Sequence, residues 1–304
     1  MDFSSYRLAG VVIALAIPSL TFLIRNRDRR HLPSERVLIL GASSGLGRSL
    51  ALHYARRGAR VCVVARRADK LKELESEGCL AKVADMTVVD DMIGVRTAIE
   101  AVWGGLDTVH VCAGVSALQP VMALTGRADG DGDSDASEQG VSRAVEIAGR
   151  AMKGNFEGPF VAAVTFIPML TRTSSSPAIL LVSSAAAIIP APTRALYASS
   201  KAASLLLYQA LAIEHRNIAF SFILPSTIEG NFRASAVDAG PVREADPNKT
   251  GLKTDYVAKR CIDAVDRKVR GNIVIPWYYN FGHIMYYFWP SRIERAAAKK
   301  YNFA

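Results

Sequence analysis

Tyr197 and Lys201 lie four residues apart in the run Tyr197-Ala198-Ser199-Ser200-Lys201. On a helix that spacing puts both on one face, where the ammonium holds the phenol near its ionised form. Such a pair can pass a proton to or from a carbonyl. The spacing alone usually marks nothing beyond a solvated helical pair, so its neighbours decide its meaning. Thirteen residues before Tyr197 stands Ser184, directly after the apolar run Ala178 to Val182 and Ser183. That run predicts a buried strand whose C-terminal end delivers the serine where open α/β sheets hold their ligands. Pro190 and Pro192 then enforce a loop before the helix that carries Tyr197.

The elements that position this pair include a second chemical motif far upstream. Arg36 to Leu40 reads as a short apolar strand running into Gly41-Ala42-Ser43-Ser44-Gly45-Leu46-Gly47, after which Arg48 to Arg57 has helical apolar spacing. Strand, glycine turn and helix in that order make a dinucleotide-binding fingerprint. Gly41 permits the sharp turn, Gly45 lets the backbone approach a pyrophosphate, and Gly47 lets helix and strand pack closely, with the helix N-terminus facing the phosphates. The next predicted strand, Arg60 to Val64, ends at Ala65-Arg66-Arg67. An acidic residue there would bind a ribose hydroxyl. Positive charge there instead suits a 2′-phosphate, so the expected cofactor is NADP(H), with Arg66 stacking on adenine and pairing with that phosphate.

With these motifs in place, the stretch from about Arg36 to Ile275 resembles the short-chain dehydrogenase/reductase family. The resemblance implies a single-domain, Rossmann-like doubly wound α/β sheet and an acid/base tetrad of Asn155, Ser184, Tyr197 and Lys201. In it Ser184 hydrogen-bonds a carbonyl oxygen, Tyr197 donates the proton, Lys201 tunes that tyrosine and binds the nicotinamide ribose, and Asn155 holds a relay water. It also implies that Asp85 and Met86 contact adenine and that Ala113, Gly114, Pro225 and Ile228 complete the cofactor site. The chain departs from the family at Val111-Cys112, where two asparagines are usual, at Leu40 before the first glycine, and at Ser226 after Pro225. Within the family it resembles the membrane-anchored 11β-hydroxysteroid dehydrogenase type in its N-terminal segment, its Ala65-Arg66 turn and its aromatic tail.

Composition bounds the rest. The 304 residues, half of them hydrophobic, suffice for one large core. Cys62, Cys79, Cys112 and Cys261 lack metal-ligand spacing and read as reduced structural thiols, Cys62 and Cys112 in apolar strands. The net charge of +9 forms no stripe interleaved with aromatics, so no nucleic-acid partner is expected. Leu8 to Ile24 carries no charge and abuts the basic run Arg25 to His31. It predicts a short membrane anchor, about 25 Å as a helix, with the following arginines and the catalytic domain on the cytosolic side. Endoplasmic reticulum is the expected membrane and lipid droplet a second. On that topology the sequon at Asn248 to Thr250 stays unglycosylated.

The aspartate-rich insertion Gly126 to Gly140 fails the EF-hand pattern, with Ser134 at the glycine position and Gly140 at the terminal glutamate, and reads as a solvated loop. After Pro225 a polar stretch to about Lys253 resembles a lid. Thr254 to Arg267 predicts an amphipathic helix and Asn272 to Ile275 a last strand. Trp277 to Trp289 is dense in aromatics and reads as a monotopic dip or a membrane-interfacial rim beside the active-site mouth, with dimer contact or core packing as the alternative. His283 within it is expected to be interfacial rather than catalytic. The expected organisation is therefore residues 1–34 as anchor and basic linker, 35–276 as catalytic domain and 277–304 as aromatic tail. The expected activity is NADPH-dependent reduction, or the reverse oxidation, of a lipophilic ketone, aldehyde or secondary alcohol such as a steroid, retinoid, ketosphingoid or fatty-chain compound. The resemblance permits a homodimer. The competing reading is a catalytically idle, NADP-binding, membrane-tethered sensor or scaffold.

Overall fold

Parallel strands that alternate direction of their side chains can bury both faces at once, and this chain uses that to build a two-sided core. The computed structural model describes residues 34–126, 135–240, 242–243 and 245–303. The expected anchor at 8–24 and most of the acidic insertion lie outside the described residues. Seven strands are present among those described: β1 (Arg36–Leu40), β2 (Arg60–Ala65), β3 (Leu80–Val83), β4 (Thr108–Val111), β5 (Ala178–Val182), β6 (Ala219–Pro225) and β7 (Gly271–Ile275). They form one sheet in the order β3-β2-β1-β4-β5-β6-β7, with every pairing parallel.

Helices cover both faces. Val37 and Ile39 point into one core with Leu50 and Tyr54 of α1 (Gly45–Arg56), Leu71 and Leu74 of α2 (Ala68–Glu75) and, across the loops, residues of the helix Thr254–Asp266. Leu38 and Leu40 point into the other, with Met92 and Ile99 of α3 (Val89–Trp103) and the helices that follow β4. Of those, α4 (Glu138–Met152) packs against α6 (Ala195–Glu214), and α5 (Gly158–Thr173) and α6 enter this core. The helix Thr254–Asp266, α7, returns the chain to the first face. This is the doubly wound α/β arrangement expected. Its strand order reverses between β1 and β4, the place where such sheets open a crevice for ligands.

Element ends differ from the sequence reading where caps decide them. The first helix starts at Gly45 rather than Arg48, because the backbone leaves the left-handed glycine turn directly into helix. The insertion ends sooner than expected: Ser137 accepts the Gly140 N–H at 3.1 Å and caps α4. Between α4 and α5 the backbone widens into a π-turn at Lys153–Glu157 that carries Asn155. After β7 the aromatic run forms α8 (Tyr279–Phe288), followed by α9 (Pro290–Lys300). No helix among the described residues is long and apolar enough to cross a membrane.

Candidate active site

The loops after β1 and β4 touch. Leu40 O accepts both Cys112 N–H and Ala113 N–H at 2.9 Å, and a Cβ on Gly41 would fall 2.6 Å from Ala113 N. Gly41 sits at φ 92° and Gly45 at φ 53°, a region that favours glycine. A Cβ on Gly47 would lie 2.2 Å from Gly41 O, so only glycine lets α1 start hard against the turn. Ser44, at the N-cap, makes no side-chain capping bond, and the first turn of α1 holds no acidic residue. The amide hydrogens of that turn therefore face the crevice uncapped by a side chain, an anion site in physical terms. These features fit a dinucleotide pyrophosphate.

The two arginines after β2 divide the work differently from the sequence expectation, which rested chiefly on Arg66. Arg67 donates from Nη2 to both Ser43 Oγ and Ser44 Oγ at 2.8 Å, so the guanidinium is tethered to the glycine loop. Arg66 is 72% exposed and reaches Asp85 at 3.5 Å. Burial alone would raise the Asp85 carboxyl, but hydrogen bonds from Thr87 N–H and Oγ1 and the Arg66 charge hold it below the ordinary value. An anchored cation beside two hydroxyls matches what a 2′-phosphate needs, and Asp85 and Met86 line the same wall.

One cavity of about 1170 Å³ contains the whole expected site except Asn155. Gly41, Ser43, Ser44, Gly45, Leu46 and Gly47 line it, as do Arg66, Arg67, Asp85, Met86, Ala113, Gly114, Pro225 and Ile228. Ser184, Tyr197 and Lys201 line it as well. Ser184 Oγ accepts Ala186 N–H at 3.1 Å, which leaves its own O–H to donate into the cavity. Lys201 is buried and donates to Val182 O at 3.1 Å. Burial lowers its ammonium from 10.5 to about 8, partly countered by the Cys112 thiol, so it keeps its proton at neutral pH. A Cβ on Gly114 would meet Asn155 Oδ1 at 2.7 Å and Lys201 Nζ at 3.1 Å, so a larger residue there would have to displace both side chains.

Asn155 itself is fully buried and its side chain acts as a brace. Its Oδ1 accepts Val115 N–H at 2.8 Å, while Nδ2 donates to Val115 O at 2.9 Å and Ser200 Oγ at 3.0 Å. It thereby joins the loop after β4 to α6. Cys112 corrects another reading: it lies one residue beyond β4 and lines the cavity rather than a strand interior. Burial pushes its thiol up to about 12, the inert range, and Lys201 offsets only part of that.

The far wall comes from the two stretches expected beside the site, the segment after Pro225 and the aromatic run, with α9 added to them. Phe232 packs its ring 5.9 Å from that of Tyr197, and Tyr278, with Tyr279 and Gly282 of α8 and Ile293 and Ala297 of α9, closes the cavity. His283 Nδ1 donates to Ile188 O at 2.6 Å, docking α8 on the loop after Ser184, so this histidine is a structural clasp. Sequence reasoning missed Arg194. The one signal for it was available: it is the only charge between Arg172 and Lys201.

A doubly wound sheet with a glycine-turn anion site and a buried Tyr-Lys pair defines a nucleotide-dependent α/β protein. The sequence profile of short chain dehydrogenases matches residues 35–239, and the chain belongs to that oxidoreductase family. It is 30% identical to the 11-beta-hydroxysteroid dehydrogenase-like 4A protein of Arabidopsis thaliana over 233 residues, 74% of this chain and 71% of the relative. It is 27% identical to a dehydrogenase/reductase SDR family protein 7-like of Drosophila melanogaster over 308 residues, 93% of this chain and 88% of the relative. Among solved structures, an alcohol dehydrogenase from the archaeon Thermococcus sibiricus, complexed with 5-hydroxy-NADP, shares the fold. Its TM-score is 0.62 at 21% identity, covering 79% of this chain and 95% of that one.

Proposed function

We propose that this protein is an NADPH-dependent reductase, working reversibly as a dehydrogenase, of a lipophilic ketone, aldehyde or secondary alcohol. The observation that carries the reading is the single cavity that runs from the Arg67-Ser43-Ser44 cluster, past Tyr197 and Lys201, to the aromatic wall of α8. Gly41, Gly45, Gly47 and the first turn of α1 would hold the pyrophosphate, Arg67 and Arg66 the 2′-phosphate, and Lys201 the nicotinamide ribose. A bound nicotinamide dinucleotide supplies the hydride that the protein cannot. Ser184 donates its O–H to the carbonyl oxygen and fixes the substrate's orientation. Tyr197 delivers the phenolic proton to that oxygen, and the Lys201 charge stabilises the phenolate left behind. A 5-hydroxy-NADP complex in the archaeal fold neighbour and the 11-beta-hydroxysteroid dehydrogenase-like names of the plant relatives support this cofactor and a lipophilic substrate.

The place of action follows from α8 and α9 in the same reading. Trp277, Tyr278, Phe281, Tyr287 and Phe288 are exposed on or beside α8, next to the wall that lines the cavity, and Arg292, Arg295 and Lys299 follow on α9. Aromatic and basic residues together suit a membrane interface, here of the endoplasmic reticulum or a lipid droplet, with the catalytic domain on the cytosolic side and residues 8–24 as tether. Phe160 and Val164 on α5, and Leu206 and Ile213 on α6, are exposed apolar pairs at helical spacing that support a homodimer.

The test uses detergent-solubilised full-length protein, a panel of membrane-soluble ketones and alcohols, and NADPH absorbance as the readout. Turnover in the wild type with a loss of roughly 10³-fold in Tyr197→Phe, and unchanged NADPH binding, is expected. Equal turnover in the variant would end the mechanism, and an idle sensor or scaffold would show NADPH binding with no turnover anywhere in the panel.

A further inference from the structure

We propose that Arg194 is a second cationic positioning residue for Tyr197, acting through the face of its ring while Lys201 acts from the next helical turn. The inference rests on the reading of Tyr197 as the proton donor and adds a group that reading does not use. Arg194 stands at the N-cap of α6, is only 7% exposed, and lines the cavity. Its guanidinium carbon lies 4.8 Å from the centroid of the Tyr197 ring. Its Nη1 donates to Ser116 Oγ at 2.9 Å and to Ala117 O at 3.0 Å, which fixes the planar group in place.

The backbone just before it is strained toward this placement. Thr193 is buried and β-branched, yet it sits at φ 62°, a conformation costly for such a residue. Strain of that kind persists where the surroundings over-determine it, and here it turns Arg194 inward over the tyrosine.

Two consequences follow from charge and from tethering. A permanent cation over the ring stabilises the phenolate, whose charge is partly delocalised into the ring, more than the neutral phenol. Arginine is also bonded to the loop after β4, and that loop holds the segment over the substrate. Ser116 N–H donates to Ser235 O at 3.3 Å, Val237 N–H to Ser116 O at 2.9 Å, and Leu118 N–H to Asp238 at 2.6 Å. Arg194 therefore couples the position of the Phe232 segment to the acidity of Tyr197. The other charged or titratable groups facing this part of the cavity are Lys201 on α6, Cys112 after β4, Glu229 and Arg233 on the segment after β6, and Tyr278, Tyr279, Lys300 and Tyr301 from the C-terminal elements.

The experiment measures the ionisation midpoint of Tyr197 directly, as the phenolate difference absorbance between each protein and the same protein carrying Tyr197→Phe. It does not need a substrate, so it stands even if the reaction class is wrong. Arg194→Gln should raise the midpoint by about two units, the size expected for a cation ~5 Å away at an effective dielectric of ~20. Arg194→Lys should keep most of the effect, and Ser116→Ala, which loosens the tether, should raise the midpoint by less than Arg194→Gln. Once a substrate is found, the pH limb of kcat for oxidation should move by the same amount, with KM for NADP+ unchanged. A merely structural arginine would lower the melting temperature without moving the midpoint. Unchanged midpoints in Arg194→Gln and Ser116→Ala would overturn the proposal. If Arg194→Gln does not fold, an unmoved Ser116→Ala midpoint alone overturns it.

Discussion

The two edges of the sheet are built on opposite electrostatic plans. At the N-terminal edge, charges are closed on one another. Arg36 grips Asp107 with Nε to Oδ2 at 2.8 Å and Nη2 to Oδ1 at 2.9 Å, and Nη2 also reaches Thr173 O at 2.7 Å. Beside it Glu35 accepts from Thr108 Oγ1 at 2.6 Å and pairs with Arg57, which also holds Asp266 at 3.0 Å. At the C-terminal edge Lys201 is buried and, among the described residues, donates to the Val182 carbonyl, while Arg67 is held by serine hydroxyls. A closed network stabilises the fold. Cations placed against neutral partners keep their charge available for an anionic ligand and a reacting oxygen.

The sharpest way to break this contrast is at Asp107. Burial by itself would push its carboxyl up, but the Arg36 hydrogen bonds and charge, with Ser174 helping, hold it down. Asp107→Asn removes the charge from a buried bidentate pair and is expected to destabilise the protein by about 3 kcal/mol, seen as a lower denaturant midpoint. Because the folded-state carboxyl is more acidic than its ordinary value of 3.8, its stabilisation is complete above that pH and fades as pH falls below it. The gap between wild type and variant should therefore narrow in acid. A gap that stays constant into acid would assign the loss to packing.

The closed edge was scarcely legible in the sequence and the open edge largely was, for a physical reason. Cofactor chemistry demands particular residue types at short spacings, so Gly41, Gly45, Gly47, Ser184, Tyr197 and Lys201 could be read one after another. β1 and β5 end where apolar runs end, and both were placed to the residue. Arg36 and Asp107 meet only because β1 and β4 are neighbours, a contact 71 residues apart in the chain that no local pattern encodes. The same limit hides which residues close the site: α8 reaches the cavity from 82 residues beyond Tyr197 at its first residue, and the π-turn that carries Asn155 leaves no mark in composition.

At the open edge the opposite sign is expected for Lys201. Its folded-state ammonium is depressed to about 8 against 10.5, so burial of the cation costs stability below pH 8. Between those two values the unfolded chain binds more protons than the folded one, and stability rises with pH across that window. Lys201→Met, similar in volume and uncharged, is expected to make the cofactor-free protein more stable by ~2 kcal/mol at neutral pH and to abolish the rise above pH 8, while turnover is lost. A destabilised Lys201→Met protein would mean that both edges obey the same plan.

The finest test separates the two arginines that flank the adenosine end. Arg67 is tethered by two serine hydroxyls and has lost much of its freedom before any ligand arrives, whereas Arg66 is largely exposed and shares its charge with Asp85. A pre-placed guanidinium forfeits less entropy on binding a phosphate. Arg67→Ser is accordingly expected to weaken NADPH binding about tenfold, near 1.4 kcal/mol, with NADH changed little, and Arg66→Ser to do the same more weakly. Titration of each variant with both cofactors by fluorescence decides it. Equal losses for NADPH and NADH in Arg67→Ser would show that the Ser43-Ser44-Arg67 cluster shapes the glycine loop and reads no 2′-phosphate, which would leave the open edge without cofactor discrimination at that corner.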